Sequence, residues 1–150
     1  MSGTVKERAL RMLARRDHSR VEMQRKLAGE DPPEVVEAVL DRMAELGLQS
    51  DTRFAESFVR GRAPRSGRRK LEQELAQRGV ARDDIAAALE SELGAGEFER
   101  ARALWLRKFG VQPQDAREWA KQARFLAARG FSNDVVRRVL KEPFDESAQG

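Results

Sequence analysis

One short stretch holds the residue types of a nucleophilic relay: Asp17-His18-Ser19. In such a relay the serine yields its proton to the imidazole, which the aspartate orients. Neighbours in sequence cannot point at one another in that line. His18 is the only histidine and the chain has no cysteine. A tetrahedral zinc site needs several converging His, Cys or carboxylate ligands, so none is expected. The plain expectation is a loop histidine just before a helix cap at Ser19.

A second stretch, GRAPRSGRRK at residues 61–70, has the glycines and bases of a phosphate loop. The spacing fails, because Gly67 is one place too far from Gly61 and no Lys-Ser/Thr pair follows it. The carboxylates mostly alternate with bases at helical spacing, as on a solvated surface. No catalytic, cofactor-binding or metal-ligating residue is expected, and the chain does not read as an enzyme.

What remains is charge. Arg60, Arg62, Arg65, Arg68, Arg69 and Lys70 follow one another without an acid between them. The run spans a helix end, a loop and a helix start. Loop arginines there can reach phosphate or carboxylate oxygens bidentately. Arg117, Lys121 and Arg124 form a second cluster, spaced to share one helix face. Arg137, Arg138 and Lys141 follow it. Between the two clusters lies an acidic stretch with Glu72, Glu74, Asp83, Asp84, Glu90 and Glu92. The formal net charge of +4 is unremarkable for 150 residues, so the clustering carries the signal. The competing reading of the first run is a solvated linker. No aromatic residue interleaves with its arginines, which argues against direct reading of bases.

The elements that must position these residues are helices. Apolar residues recur at three- and four-residue steps, as in Val36, Val39, Leu40, Met43 and in Ile85, Leu89, Leu93. Ser19 with Glu22 makes a capping box. Asp31 before Pro32-Pro33, Ser50-Asp51, Asp83-Asp84, Asp115 and Ser132 mark further starts. Gly47, Gly79, Gly94, Gly110 and Gly130 mark stops. The Phe residues at 54, 58, 109, 125 and 131 read mostly as core, and Trp105 and Trp119 as core or packing between modules.

The chain also repeats itself. Residues 73–90, QELAQRGVARDDIAAALE, resemble residues 124–141, RFLAARGFSNDVVRRVLK. A fainter copy runs from Leu27 to Leu40. The expected fold is all-α: three tandem three-helix repeats, about nine helices, at 1–47, 50–94 and 97–142. Such modules pack on their neighbours, so an elongated, curved array is expected, with a flexible tail at 143–150. No apolar run reaches the ~18 residues of a membrane span. The N-terminus lacks an apolar signal segment. A cytoplasmic monomer is expected.

Several motifs in combination resemble one family. They are Arg16-x-His18-Ser19-x-x-Glu22 with Lys26-Leu27; Asp51-x-x-Phe54-Ala55; Glu74-Leu75 with Gly79; and Arg129-Gly130-Phe131. Together they resemble the RecX family of bacterial regulators of the RecA recombinase, from about Ala9 to Lys141. The resemblance implies tandem three-helix repeats and a non-enzymatic role. It implies binding in the groove of the RecA filament on single-stranded DNA. It further implies lowered filament extension, ATP hydrolysis, strand exchange and co-protease activity. Two positions depart from the pattern. Leu48 stands where many relatives carry Tyr, and the loop Arg65-Ser66-Gly67-Arg68 is more charged than usual. The rival expectations are a general DNA-binding helical repeat and a protein adaptor that uses the acidic stretch.

Overall fold

A computed structural model describes residues 3–93 and 96–141. Among them are nine α-helices and no β-strand. They are α1 (Val5–Arg15), α2 (Arg20–Leu27), α3 (Pro33–Glu45), α4 (Asp51–Arg62), α5 (Arg68–Gln77), α6 (Arg82–Glu92), α7 (Glu97–Lys108), α8 (Ala116–Ala128) and α9 (Asn133–Leu140). A 3-10 turn at Ala63–Arg65 follows α4. Gly94 and the tail at 143–150, named above as a helix stop and a flexible end, lie outside the described residues.

Local chemistry sets the helix ends. Ser19 Oγ accepts from the Glu22 amide and the Glu22 carboxylate accepts from the Ser19 amide, as the capping box requires. Asp115 and Ser132 cap α8 and α9 through their side chains. A second capping box, Thr4 with Glu7, starts α1. Asp31 does not cap α3. The N-cap is Pro32, without a side-chain bond, and Asp31 instead accepts from Arg8 at 3.3 Å. The two prolines already fix the backbone for a first turn, which frees the carboxylate for a tertiary partner.

The chain packs as two compact units. Among the described residues, the first takes those up to Val59 together with Glu74–Glu92; the second takes Arg60–Gln73 and those from Leu93 to Lys141. In the first, Val5, Ala9, Met23, Leu27, Val36, Leu40 and Met43 form a core between α1, α2 and α3. In the second, Ala101, Leu104, Trp105, Leu126, Phe131, Val136, Val139 and Leu140 form one between α7, α8 and α9. The boundary falls inside α4 and inside α5. Repeats record similarity along the chain, whereas these units record packing, and the basic run of the middle repeat belongs to the second unit.

Candidate functional site

The first basic cluster sits on backbone held from below. The Arg100 side chain is only 10% exposed. Its Nε donates to the Ala63 carbonyl at 3.2 Å and its Nη2 to the Ser66 carbonyl at 2.9 Å. The Gly67 amide donates to the Arg129 carbonyl at 2.6 Å. Arg129 Nη1 donates to the Arg65 carbonyl at 3.4 Å. The Glu97 carboxylate accepts from the Arg68 amide at the start of α5. That first turn holds no acid of its own, and positive side chains there oppose the helix dipole. Glu97 supplies the missing negative charge from another helix. Burial pushes the Arg100 guanidinium below the ordinary arginine value, against the opposing pull of Glu97.

With the backbone fixed, the side chains face outward. Arg60, Arg65, Arg68 and Arg69 are exposed, while Arg62 and Lys70 are half-buried. Gly130 comes so close to Lys70 that a Cβ there would sit 2.5 Å from the lysine Cβ.

The second cluster lies on α8. Arg117, Lys121 and Arg124 are exposed, as their spacing predicts. The opposite side of α8 buries Gln122 and Leu126. Gln122 accepts from Trp105 Nε1 at 2.7 Å and donates to the Val111 carbonyl at 3.2 Å, which fixes the rotation of the helix. Arg138 of α9 stacks over Phe98, 4.4 Å from the ring centre.

Both clusters therefore belong to the second unit. Its described residues carry 17 bases against 6 acids, a net of +11. The first unit carries 12 bases against 16 acids, a net of −4. Of the acidic stretch, Glu74, Asp83, Asp84, Glu90 and Glu92 fall in the first unit, and Glu72 in the second. Packing thus separates charge more sharply than the repeats do. Sequence reasoning missed Arg100 and Glu97, which look like one more i, i+3 surface pair on an amphipathic helix.

The Asp17-His18-Ser19 stretch is structural. His18 is buried, with Nδ1 3.0 Å from the Arg16 carbonyl. Ser19 Oγ donates to the Arg78 carbonyl at 2.7 Å. Asp17 accepts from Arg53 Nε at 3.0 Å, and Asp51 accepts from the Arg20 amide at 2.8 Å. These bonds tie the α1–α2 turn to α4 and to the end of α5. No group of three His, Cys, Asp or Glu residues suited to a metal occurs among the described residues. No helix among them is long and apolar enough to cross a membrane.

Acid will loosen this joint. Burial holds His18 below its ordinary 6.5; the Arg16 carbonyl and Glu22 pull the other way, while Arg16 and Lys26 charges add to the depression. Between 6.5 and the lower folded value, the unfolded chain binds more protons. Stability is therefore full above that window and falls as pH drops through it. Glu22 is held below its ordinary 4.5: burial raises it, but Arg16 and the Ser19 amide outweigh burial. Urea midpoints at about pH 7.5 and about pH 5.5 measure the effect. The midpoint should fall on acidification, and fall less in His18→Asn; equal falls would contradict the account.

Nine helices and no strand among the described residues define an all-α protein. The comparisons narrow it. Family descriptions of the RecX first, second and third three-helix domains match residues 6–43, 50–89 and 95–140. The chain belongs to the RecX family. The Regulatory protein RecX of Leptothrix cholodnii is 50% identical over 140 residues, covering 92% of this chain and 88% of the relative. That of Pseudomonas fluorescens is 50% identical over 139 residues, covering 91% and 89%. A crystal structure of regulatory protein RecX superposes with a TM-score of 0.78 at 28% identity, covering 92% of this chain and 71% of that one. The RecX crystal structure from Lactobacillus salivarius gives 0.75 at 21% identity, covering 92% and 93%, and so speaks to the fold alone.

Proposed function

We propose that this chain is a cytoplasmic, non-enzymatic regulator of RecA filaments. It acts as a monomer and binds in the groove of the filament on single-stranded DNA. It lowers filament extension, ATP hydrolysis, strand exchange and co-protease activity. The family supports a regulatory role. The observation that carries the rest is the segregation of charge between the units, +8 against −4 once Glu142, Asp145 and Glu146 are counted with the second. A basic unit suits phosphates, and an acidic one suits basic protein surface. Arg60, Arg62, Arg65, Arg68, Arg69 and Lys70 make the phosphate contact, and Arg117, Lys121 and Arg124 a second contact to the filament.

The exposed members of the first cluster allow a clean test. Changing Arg60, Arg65, Arg68 and Arg69 to Gln removes charge while leaving the bonds to the loop backbone in place. The slope of log affinity for the filament against log salt should flatten by up to about 3, at ~0.7 per phosphate contact on a single strand. An unchanged slope would remove this cluster from the interface. The same charge favours one rival, direct binding to naked DNA. Equal affinity for naked single strands and for filaments at the same salt would select that reading.

A further inference from the structure

A shallow groove of about 320 Å³ lies between α8 and α9. Trp119, Ala123, Ala127 and Val136 line it, with Arg124, Arg137 and Asn133. The Trp119 indole nitrogen is buried without a hydrogen-bond partner among the described residues, so the ring shows the groove only carbon. A base seated here would find only one side-chain acceptor in the lining, the Asn133 amide oxygen, so the donors on its hydrogen-bonding edge would go largely unpaired. A bulky apolar side chain has no such edge and would bury surface against two alanines, a valine and the indole. The arginines beside it match carboxylates in charge and in fork geometry. The net charge of +8 over this unit's full sequence draws an acidic partner towards it.

We infer that the α8–α9 groove is a docking site for an acidic segment of a protein partner carrying one bulky apolar side chain. Phosphate contacts belong to the loop cluster, and Arg124 serves carboxylates. The site stands on its own lining, whether or not the partner is a recombinase filament.

The test uses the full chain and fluorescence anisotropy of a labelled acidic nonapeptide with a central Phe. The peptide should bind, and its Phe→Ala form should bind roughly tenfold more weakly. Ala127→Leu, which fills the groove from an exposed position, should abolish binding yet leave affinity for a short oligothymidine unchanged. Arg124→Gln should weaken binding of the peptide several-fold. A thermal melt by circular dichroism confirms that each variant folds. Equal binding of the Phe and Ala peptides would reduce the effect to bulk charge and overturn the site. Loss of oligothymidine binding in Ala127→Leu would give the groove to nucleic acid instead. Residues 142–150 of this chain combine Phe144 with Glu142, Asp145 and Glu146. If changing those four to Ser and Gln raised peptide affinity tenfold or more, the chain's own segment would be the occupant and the partner assignment would fall.

Discussion

Replacing Arg100 with Met will cost about 3 kcal/mol of folding stability, far more than loss of any exposed arginine. Arg100 is nearly enclosed, and its two bonds to the Ala63 and Ser66 carbonyls hold the turn that carries the first basic cluster. Methionine fills similar space but leaves both carbonyls and the Glu97 carboxylate without this partner. Lysine keeps the charge, yet a single ammonium cannot span two carbonyls as a planar fork does, so Arg100→Lys should recover less than half of the loss. Urea unfolding measures both, read as a shift in midpoint at constant slope. A cost below about 1 kcal/mol for the Met variant would mean the loop is held by other bonds. The consequence for function is distinct from stability. Below its melting temperature the Met variant should bind the filament more weakly with its salt slope retained, because the charges remain and only their positions are loosened.

The second large effect lies at the close approach of two glycines. Gly130 has φ +93, and a Cβ there would meet Lys70 Cβ at 2.5 Å and the Lys70 amide nitrogen at 2.6 Å. A Cβ on Gly67 would collide with the Gly130 carbonyl oxygen. Backbone on the receiving side cannot swing away as a side chain could. Gly130→Ala and Gly67→Ala should each cost about 3 kcal/mol or more, from steric overlap plus, at Gly130, the left-handed backbone. The double variant should cost less than the sum, since one separation of the two segments relieves both clashes. Gly47→Ala is the control. Its φ is +74 but nothing lies within 4 Å of an added Cβ, so only the conformational penalty of about 1 kcal/mol applies. Equal costs at Gly47 and Gly130 would show that the close approach contributes nothing.

The helices were legible because their signals are local. Ser19 with Glu22, Asp115 and Ser132 cap the helices their positions announce. Gly47, Gly79, Gly110 and Gly130 all adopt positive φ at helix ends. Asp31 misled because a carboxylate before two prolines has the right local grammar, while its partner Arg8 lies 23 residues away. The basic run was equally legible as a run of charge. What gives it a fixed shape was not. Glu97 and Arg100 reach the loop from a helix about thirty residues on, and Gly130 from further still. Each carries an ordinary local role, as helix-surface charge or helix stop, that hides the tertiary one. The separation of charge into +8 and −4 was hidden for the same reason, because packing divides the middle repeat between two units.

The central claim is that this chain recognises a recombinase filament and not DNA alone. The most direct measurement is the DNA-dependent ATPase rate of pre-formed RecA filaments titrated with this protein, with naked-DNA binding followed at the same salt. The account predicts a fall in rate well below one protein per recombinase monomer, together with weak binding to naked single strands. An unchanged rate with tight binding to naked DNA would contradict it and leave a general DNA-binding repeat protein in its place.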